Sequence, residues 1–133
     1  MRYLLFPLSF IYGSITSMRN LLFDYGILKE KSHPIPIICV GNLSLGGTGK
    51  TPHIQYLLDL LKNNYKVAVL TRGYGRKNSR LQLVEIKSNA FEVGDEPLQL
   101  KQNNPECLVV EEKNRNKGVL HILKHFPKTE VIA

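Results

Sequence analysis

Apolar side chains recur at Leu4, Leu8, Ile11, Ile15, Met18 and Leu22. The steps alternate between four and three, which lines one face of an α-helix. Past Pro34 and Pro36 the pattern changes to short apolar runs separated by helical spacing. Ile37–Val40 reads as a buried strand. Thr51–Lys62 reads as a helix, with Ile54, Leu57, Leu58 and Leu61 at i, i+3, i+4 and i+7. Val67–Leu70 is a second strand, and Leu81–Ile86 alternates as a half-exposed one. Asp95–Gln102 is a short helix and Cys107–Val110 a strand. Arg115–Phe126 is a helix with Val119, Leu120, Ile122, Leu123 and Phe126 on its apolar side. Glu130–Ala133 begins a further strand. Strands and helices in alternation predict a parallel sheet with helices on both faces.

The first 30 residues are a separate material, so the expected division is residues 1–30 and residues 31–133. Six of the eleven aromatic residues fall there: Tyr3, Phe6, Phe10, Tyr12, Phe23 and Tyr25. The uncharged run Tyr3–Met18 is 16 residues long and contains Pro7, Gly13 and several hydroxyl residues. A bilayer span needs roughly 20 mostly apolar residues. The segment fits an amphipathic helix lying in a membrane interface, with Arg19 at the headgroups. Packing of the same face on its own domain is the competing reading. A signal peptide has the right outline, but the cleavage site is poor.

The 133 residues carry 18 Lys and Arg against 11 Asp and Glu, a net charge of +7. Composition is that of an ordinary globular domain, with 43% apolar residues. Two cysteines exclude a disulfide scaffold; Cys39 and Cys107 both sit in apolar runs and read as buried free thiols. The six basic residues between Lys62 and Arg80 have no acid among them, so anionic partners are expected. Zinc-finger spacing, a recognition helix and aromatic RNA-binding motifs are all missing, which leaves phosphorylated small molecules and anionic lipid ahead of nucleic acid.

The strongest chemical signal is Gly41-Asn42-Leu43-Ser44-Leu45-Gly46-Gly47-Thr48-Gly49-Lys50-Thr51, set between a strand and a helix. That order is the one a P-loop requires. Gly46, Gly47 and Gly49 let backbone N–H groups turn inward around phosphate oxygens, and Thr48 belongs to the same cradle. Lys50 reaches the β- and γ-phosphates, and the Thr51 hydroxyl is a Mg²⁺ ligand. Ser44 stands where the strict pattern has glycine. The expected fold is therefore α/β, a P-loop NTPase-like parallel sheet flanked by helices.

Two further loops sit where a parallel sheet gathers its ligands, beyond the strands' carboxyl ends. Thr71-Arg72-Gly73-Tyr74-Gly75-Arg76 can fork two guanidinium groups onto phosphate, or is a solvated basic turn. In Val93-Gly94-Asp95-Glu96-Pro97, Asp95 suits a helix N-cap. The same two carboxylates also suit Mg²⁺ and the orienting of an acceptor hydroxyl. His121 and His125 have metal-ligand spacing, yet no third ligand is evident and a solvated helix flank is the expected reading. Leu108–Glu111 has the outline of an acid-terminated metal strand. Val131–Ala133 is the better candidate, and the sequence stops before an acid appears.

These three ordered motifs, with the aromatic N-terminal helix, resemble the tetraacyldisaccharide 4′-kinase (lipid A 4′-kinase) family over essentially the whole chain. That family accepts Ser or Thr at position 44. The resemblance implies transfer of the γ-phosphate of ATP, with Mg²⁺, to the 4′-hydroxyl of a tetraacylated glucosamine disaccharide 1-phosphate, forming lipid IVA. It implies a peripheral protein at the cytoplasmic face of the bacterial inner membrane, with no nucleic-acid partner. It makes Lys50 and Asp95 catalytic, Asp95 beside the acceptor hydroxyl. It places Glu96 with Thr51 near the metal, and makes Arg72, Tyr74 and Arg115 substrate contacts. Family members are more than twice as long and continue into an Asp-Asp pair and a later histidine. The expectation is an incomplete domain with little kinase activity alone. The rival readings are a membrane-associated P-loop ATPase switch, whose signature lysine is replaced by Leu45, and a non-catalytic nucleotide- or lipid-binding remnant.

Overall fold

The computed structural model describes residues 6–41, 49–73 and 81–133. They fall into two compact units, residues 1–32 and 33–133.

The first unit is one helix, α1 (Phe6–Asp24). It ends where Gly26 takes a φ of +69°, a left-handed conformation suited to glycine, and Leu28 N–H bonds back to Leu22 O at 3.0 Å. Ser14 and Thr16 turn their hydroxyls back onto the carbonyls of Phe10 and Tyr12, each at 2.9 Å. Those hydroxyls are thus satisfied inside the helix. Phe10, Ile11, Tyr12, Ile15, Met18 and Leu21 are all exposed. Among the described residues, no helix is long and apolar enough to cross a membrane.

The second unit contains α2 (Lys50–Leu61), β1 (Val67–Thr71), β2 (Gln82–Leu83), α3 (Ala90–Val93), α4 (Asp95–Asn103), β3 (Leu108–Glu111), α5 (Arg115–His125) and β4 (Val131–Ile132). The four strands lie in the order β2-β3-β1-β4. β1 runs parallel to both β3 and β4, while β2 is antiparallel to β3. The sheet is therefore mixed, which corrects the all-parallel expectation. Ten residues separate β1 from β2, fewer than the dozen or so that a parallel crossover needs.

Side chains alternate across the sheet as the pleat requires. Val67, Val69 and Val109 pack with Leu58 of α2 and Leu100 of α4. Ala68, Val110 and Ile132 pack with Val119 and Ile122 of α5. Leu58 and Ile122 are fully buried, and each such side chain contributes about 1.5–3 kcal/mol. Helices thus cover both faces.

Four details differ from the sequence pattern. Ile37–Val40 is reduced to a single parallel bridge between Ile37 and Ile132. The expected strand Leu81–Ile86 is paired over Gln82–Leu83 alone. A short helix, α3, appears because Asn89 caps it, its side chain accepting from Phe91 N–H at 3.0 Å. Leu120 does not join the apolar side of α5; it is 58% exposed.

Candidate active site

The glycine-rich segment leads into α2, and its last glycine is in a conformation that calls for glycine. Gly49 has a φ of +74° and ψ of 26°, and it caps the helix with no side-chain bond. Residues Gly46, Gly47 and Thr48 lie outside the described residues, as do Tyr74 and Arg76. His53, to which the sequence assigned no role, clips the loop exit. Its Nδ1 lies 2.7 Å from Gly49 O, so that nitrogen carries the proton. A histidine one turn past a helix start is the signal for such a clip, and a weak one.

Lys50 and Thr51 open α2, so their backbone N–H groups point out of the helix with its positive dipole end. Asp95 and Glu96 open α4. The N-cap there is Gly94, φ +78°, and not Asp95, which corrects the capping reading. Asp95 therefore sits in the first turn, and the residue is exposed. Arg72 follows β1, and Arg115 opens α5, where Asn114 caps the helix by accepting from Lys117 N–H at 3.2 Å.

These helix starts and strand ends enclose a cleft of about 360 Å³. Lys50, Thr51, Arg72, Glu96 and Arg115 all line it, with Val40, Ile54, Leu70, Thr71, Gly73, Pro97 and Leu100. Five of the expected site residues thus meet in one place. Asp95 is adjacent to this lining and not part of it. The Thr51 hydroxyl donates directly to Glu96 Oε1, joining α2 to α4. A hydroxyl and a carboxylate in contact are hard oxygen donors of the kind Mg²⁺ takes. Arg115 Nη1 lies 3.1 Å from Cys39 Sγ, which ties α5 to the segment entering the glycine-rich sequence. Cys39 is exposed and Cys107 buried, so the expectation of two buried thiols holds for Cys107 alone. Burial pushes the Cys107 thiol up, with the charge of Glu106 adding to it.

Glu111, the acid ending β3, is fully buried and lies beside Thr71 in the sheet; it is not in the cleft lining. His121 and His125 stack their rings 4.4 Å apart. Among the described residues, no three His, Cys, Asp or Glu side chains cluster to hold a metal ion. A cation in the cleft would rely on Thr51, Glu96, water and phosphate oxygens.

Fold and cleft together define an α/β protein with a mixed sheet flanked by helices, whose charged residues converge at the strand carboxyl ends. The family model for tetraacyldisaccharide-1-P 4′-kinase matches residues 1–133, and the chain belongs to that family. The tetraacyldisaccharide 4′-kinase of Flavobacterium johnsoniae is 50% identical over 132 residues, 99% of this chain and 39% of the relative. That of Bacteroides thetaiotaomicron is 46% identical over 129 residues, 96% of this chain and 34% of the relative. The chain thus spans under two fifths of these relatives' length. A crystal structure of "apo" form LpxK from Aquifex aeolicus in complex with ATP is similar over 98% of this chain and 42% of that one, with TM-score 0.81 and 43% identity.

Proposed function

We propose that this chain is the ATP-binding part of a kinase that phosphorylates the 4′-hydroxyl of a tetraacyldisaccharide 1-phosphate, the step that forms lipid IVA. The observation that carries this is the cleft itself, where Lys50, Thr51 and Glu96 from two helix starts face Arg72 and Arg115. Family membership and the likeness to a relative crystallised with ATP support the same reading.

The roles follow from position. The start of α2, with Lys50, draws phosphate oxygens toward its N–H groups. Lys50 balances charge that builds on the transferred phosphoryl group. Thr51 and Glu96 would hold Mg²⁺, which screens the nucleotide phosphates when bound. Asp95, exposed at the same helix start, would accept the proton of the acceptor hydroxyl. Arg72 and Arg115 would fork onto phosphate oxygens of either substrate. Gly46, Gly47 and Thr48 of the loop and Tyr74 complete the proposed contacts.

α1 would lie at the cytoplasmic face of the inner membrane. Its exposed Phe10, Tyr12, Ile15, Met18 and Leu21 suit the acyl boundary, and its internally bonded hydroxyls need no water. Arg19 sits 5.0 Å over the Phe23 ring, a cation able to meet headgroup phosphates.

Among the described residues the cleft lining holds a single carboxylate, that of Glu96. We therefore expect the isolated chain to bind Mg·ATP but turn it over poorly. The test is a phosphoryl-transfer assay with Mg·ATP and tetraacyldisaccharide 1-phosphate in mixed micelles, read by mass spectrometry. It would use the 133-residue chain and a longer polypeptide containing it. A 4′-phosphorylated product from the longer polypeptide, lost in Lys50→Ala, supports the reading. ATP hydrolysis and liposome release without a phosphorylated lipid would replace it with the ATPase-switch reading.

A further inference from the structure

Gly118 lies buried one turn into α5, the helix that Arg115 opens. It is helical, and alanine adopts that conformation more readily than glycine, so the backbone does not call for glycine here. Space does. A methyl group at position 118 would lie 2.6 Å from Leu70 Cδ1, 3.0 Å from Leu70 Cδ2 and 3.2 Å from Glu112 Cβ. Carbon atoms in ordinary contact are about 3.5–4.0 Å apart. Leu70 is on β1 and packs with Ala68, Val110 and Ile122 on the side that α5 covers. Glu112 is in the turn from β3 into α5, where its Oε1 accepts from Asn114 N–H at 2.8 Å. The helix therefore meets the ends of β1 and β3 at its one residue without a side chain.

That close approach bears on the cleft. Arg115 is three residues before Gly118, on the same face of the helix. Arg115 and Leu70 both line the cleft. Arg115 Nη1 also donates to Cys39 Sγ at 3.1 Å, and moving α5 outward by the roughly 1 Å that a methyl group needs would break this contact.

We propose that Gly118 is a positioning residue for Arg115. By letting α5 settle against Leu70 and Glu112, it sets how far the guanidinium reaches into the cleft toward an anionic oxygen of the bound ligand. This rests on the reading of Arg115 as a phosphate contact.

The experiment is a double-mutant cycle on the 133-residue chain: wild type, Gly118→Ala, Arg115→Ala and the two together. Each is titrated calorimetrically with Mg·ATP and with glucosamine 1-phosphate, well below its melting temperature. Arg115→Ala identifies which ligand Arg115 holds. For that ligand Gly118→Ala should weaken binding about 5–10-fold, and should cost nothing further once Arg115 is alanine. A glycine that only keeps the helix packed would show the same loss with or without Arg115, and that result overturns the proposal. Wild-type affinity in Gly118→Ala also overturns it, and both results leave Arg115 as a phosphate contact. If Arg115→Ala binds both ligands like wild type, the proposal and that reading of Arg115 fall together. Leu70→Val removes both carbons that the new methyl group would meet, so in this background Gly118→Ala should leave affinity within about twofold. This pair decides the matter where Gly118→Ala alone does not fold, and a loss of affinity within it overturns the proposal.

Discussion

The side-chain amides of Asn104 and Gln55 bond to each other reciprocally. Asn104 Nδ2 donates to Gln55 Oε1 at 2.8 Å, and Gln55 Nε2 donates back to Asn104 Oδ1 at 3.1 Å. Asn104 is fully buried at the end of α4, and Gln55 lies in the middle of α2. Lys62 Nζ also donates to Asn104 Oδ1 at 3.1 Å, and Asn104 Nδ2 to Leu100 O at 3.1 Å, so the amide is satisfied on both sides. The same two helices meet at their other ends through Thr51 and Glu96. One polar clasp thus sets how far α4 slides along α2, and with it where Glu96 meets Thr51.

Asn104→Ala should therefore destabilise the chain by about 2 kcal/mol or more, since it removes the four hydrogen bonds of a buried amide and opens a buried gap. Urea denaturation followed by circular dichroism measures this. A midpoint unchanged within error would mean the clasp contributes nothing to stability.

Lys50→Ala and Glu96→Ala should both weaken Mg·ATP, but by different routes. Lys50→Ala removes a charge that acts on phosphate directly, and the loss should persist when Mg²⁺ is chelated. Glu96→Ala should weaken binding about tenfold with Mg²⁺ and leave metal-free nucleotide affinity almost unchanged. Isothermal titration with and without EDTA separates the two. Equal losses in both conditions would remove Glu96 from the metal role.

The two thiols should differ sharply in reactivity. Cys39 is exposed, with a guanidinium nitrogen 3.1 Å from its sulfur. Cys107 is 2% exposed, and burial holds its thiol protonated above the usual cysteine range. Iodoacetamide on the native chain should add one equivalent quickly, at Cys39, and the Cys39→Ser chain should label only on unfolding. Mass spectrometry of the labelled peptides decides it.

His121 should make stability depend on pH. Its burial pushes the imidazole below the ordinary 6.5, and the neighbouring charges of His125 and Lys124 act the same way. The unfolded chain then takes up this proton at a higher pH than the folded one. The contribution is present above pH 6.5 and is lost as pH falls through the lowered value. Melting temperature should decline between about pH 7 and pH 5.5, and His121→Gln should flatten that decline. A parallel decline in both proteins would place the titrating group elsewhere.

The charged lining of the cleft was legible in the residues because its parts are local. Gly49-Lys50-Thr51 and Gly94-Asp95-Glu96 each occupy one helix start, and spacing along a few residues is enough to name them. Local spacing also overreached. It made Asp95 a cap, yet Gly94, at φ +78°, turns the chain one residue earlier and leaves Asp95 exposed in the first turn.

The amino-acid pattern by itself determined the alternation of strand and helix, the aromatic helix α1 and the charged residues of each loop. All of these depend on neighbours three or four positions apart, where periodicity carries the information. Tertiary structure alone decided the direction of β2, the exposure of Cys39 and Leu120, the clasp of Asn104 with Gln55, and the meeting of Thr51 with Glu96 across 45 residues. These depend on which strand lies beside which and how two helices slide past each other. Both are set by long-range packing in the core, and no spacing along the chain encodes them.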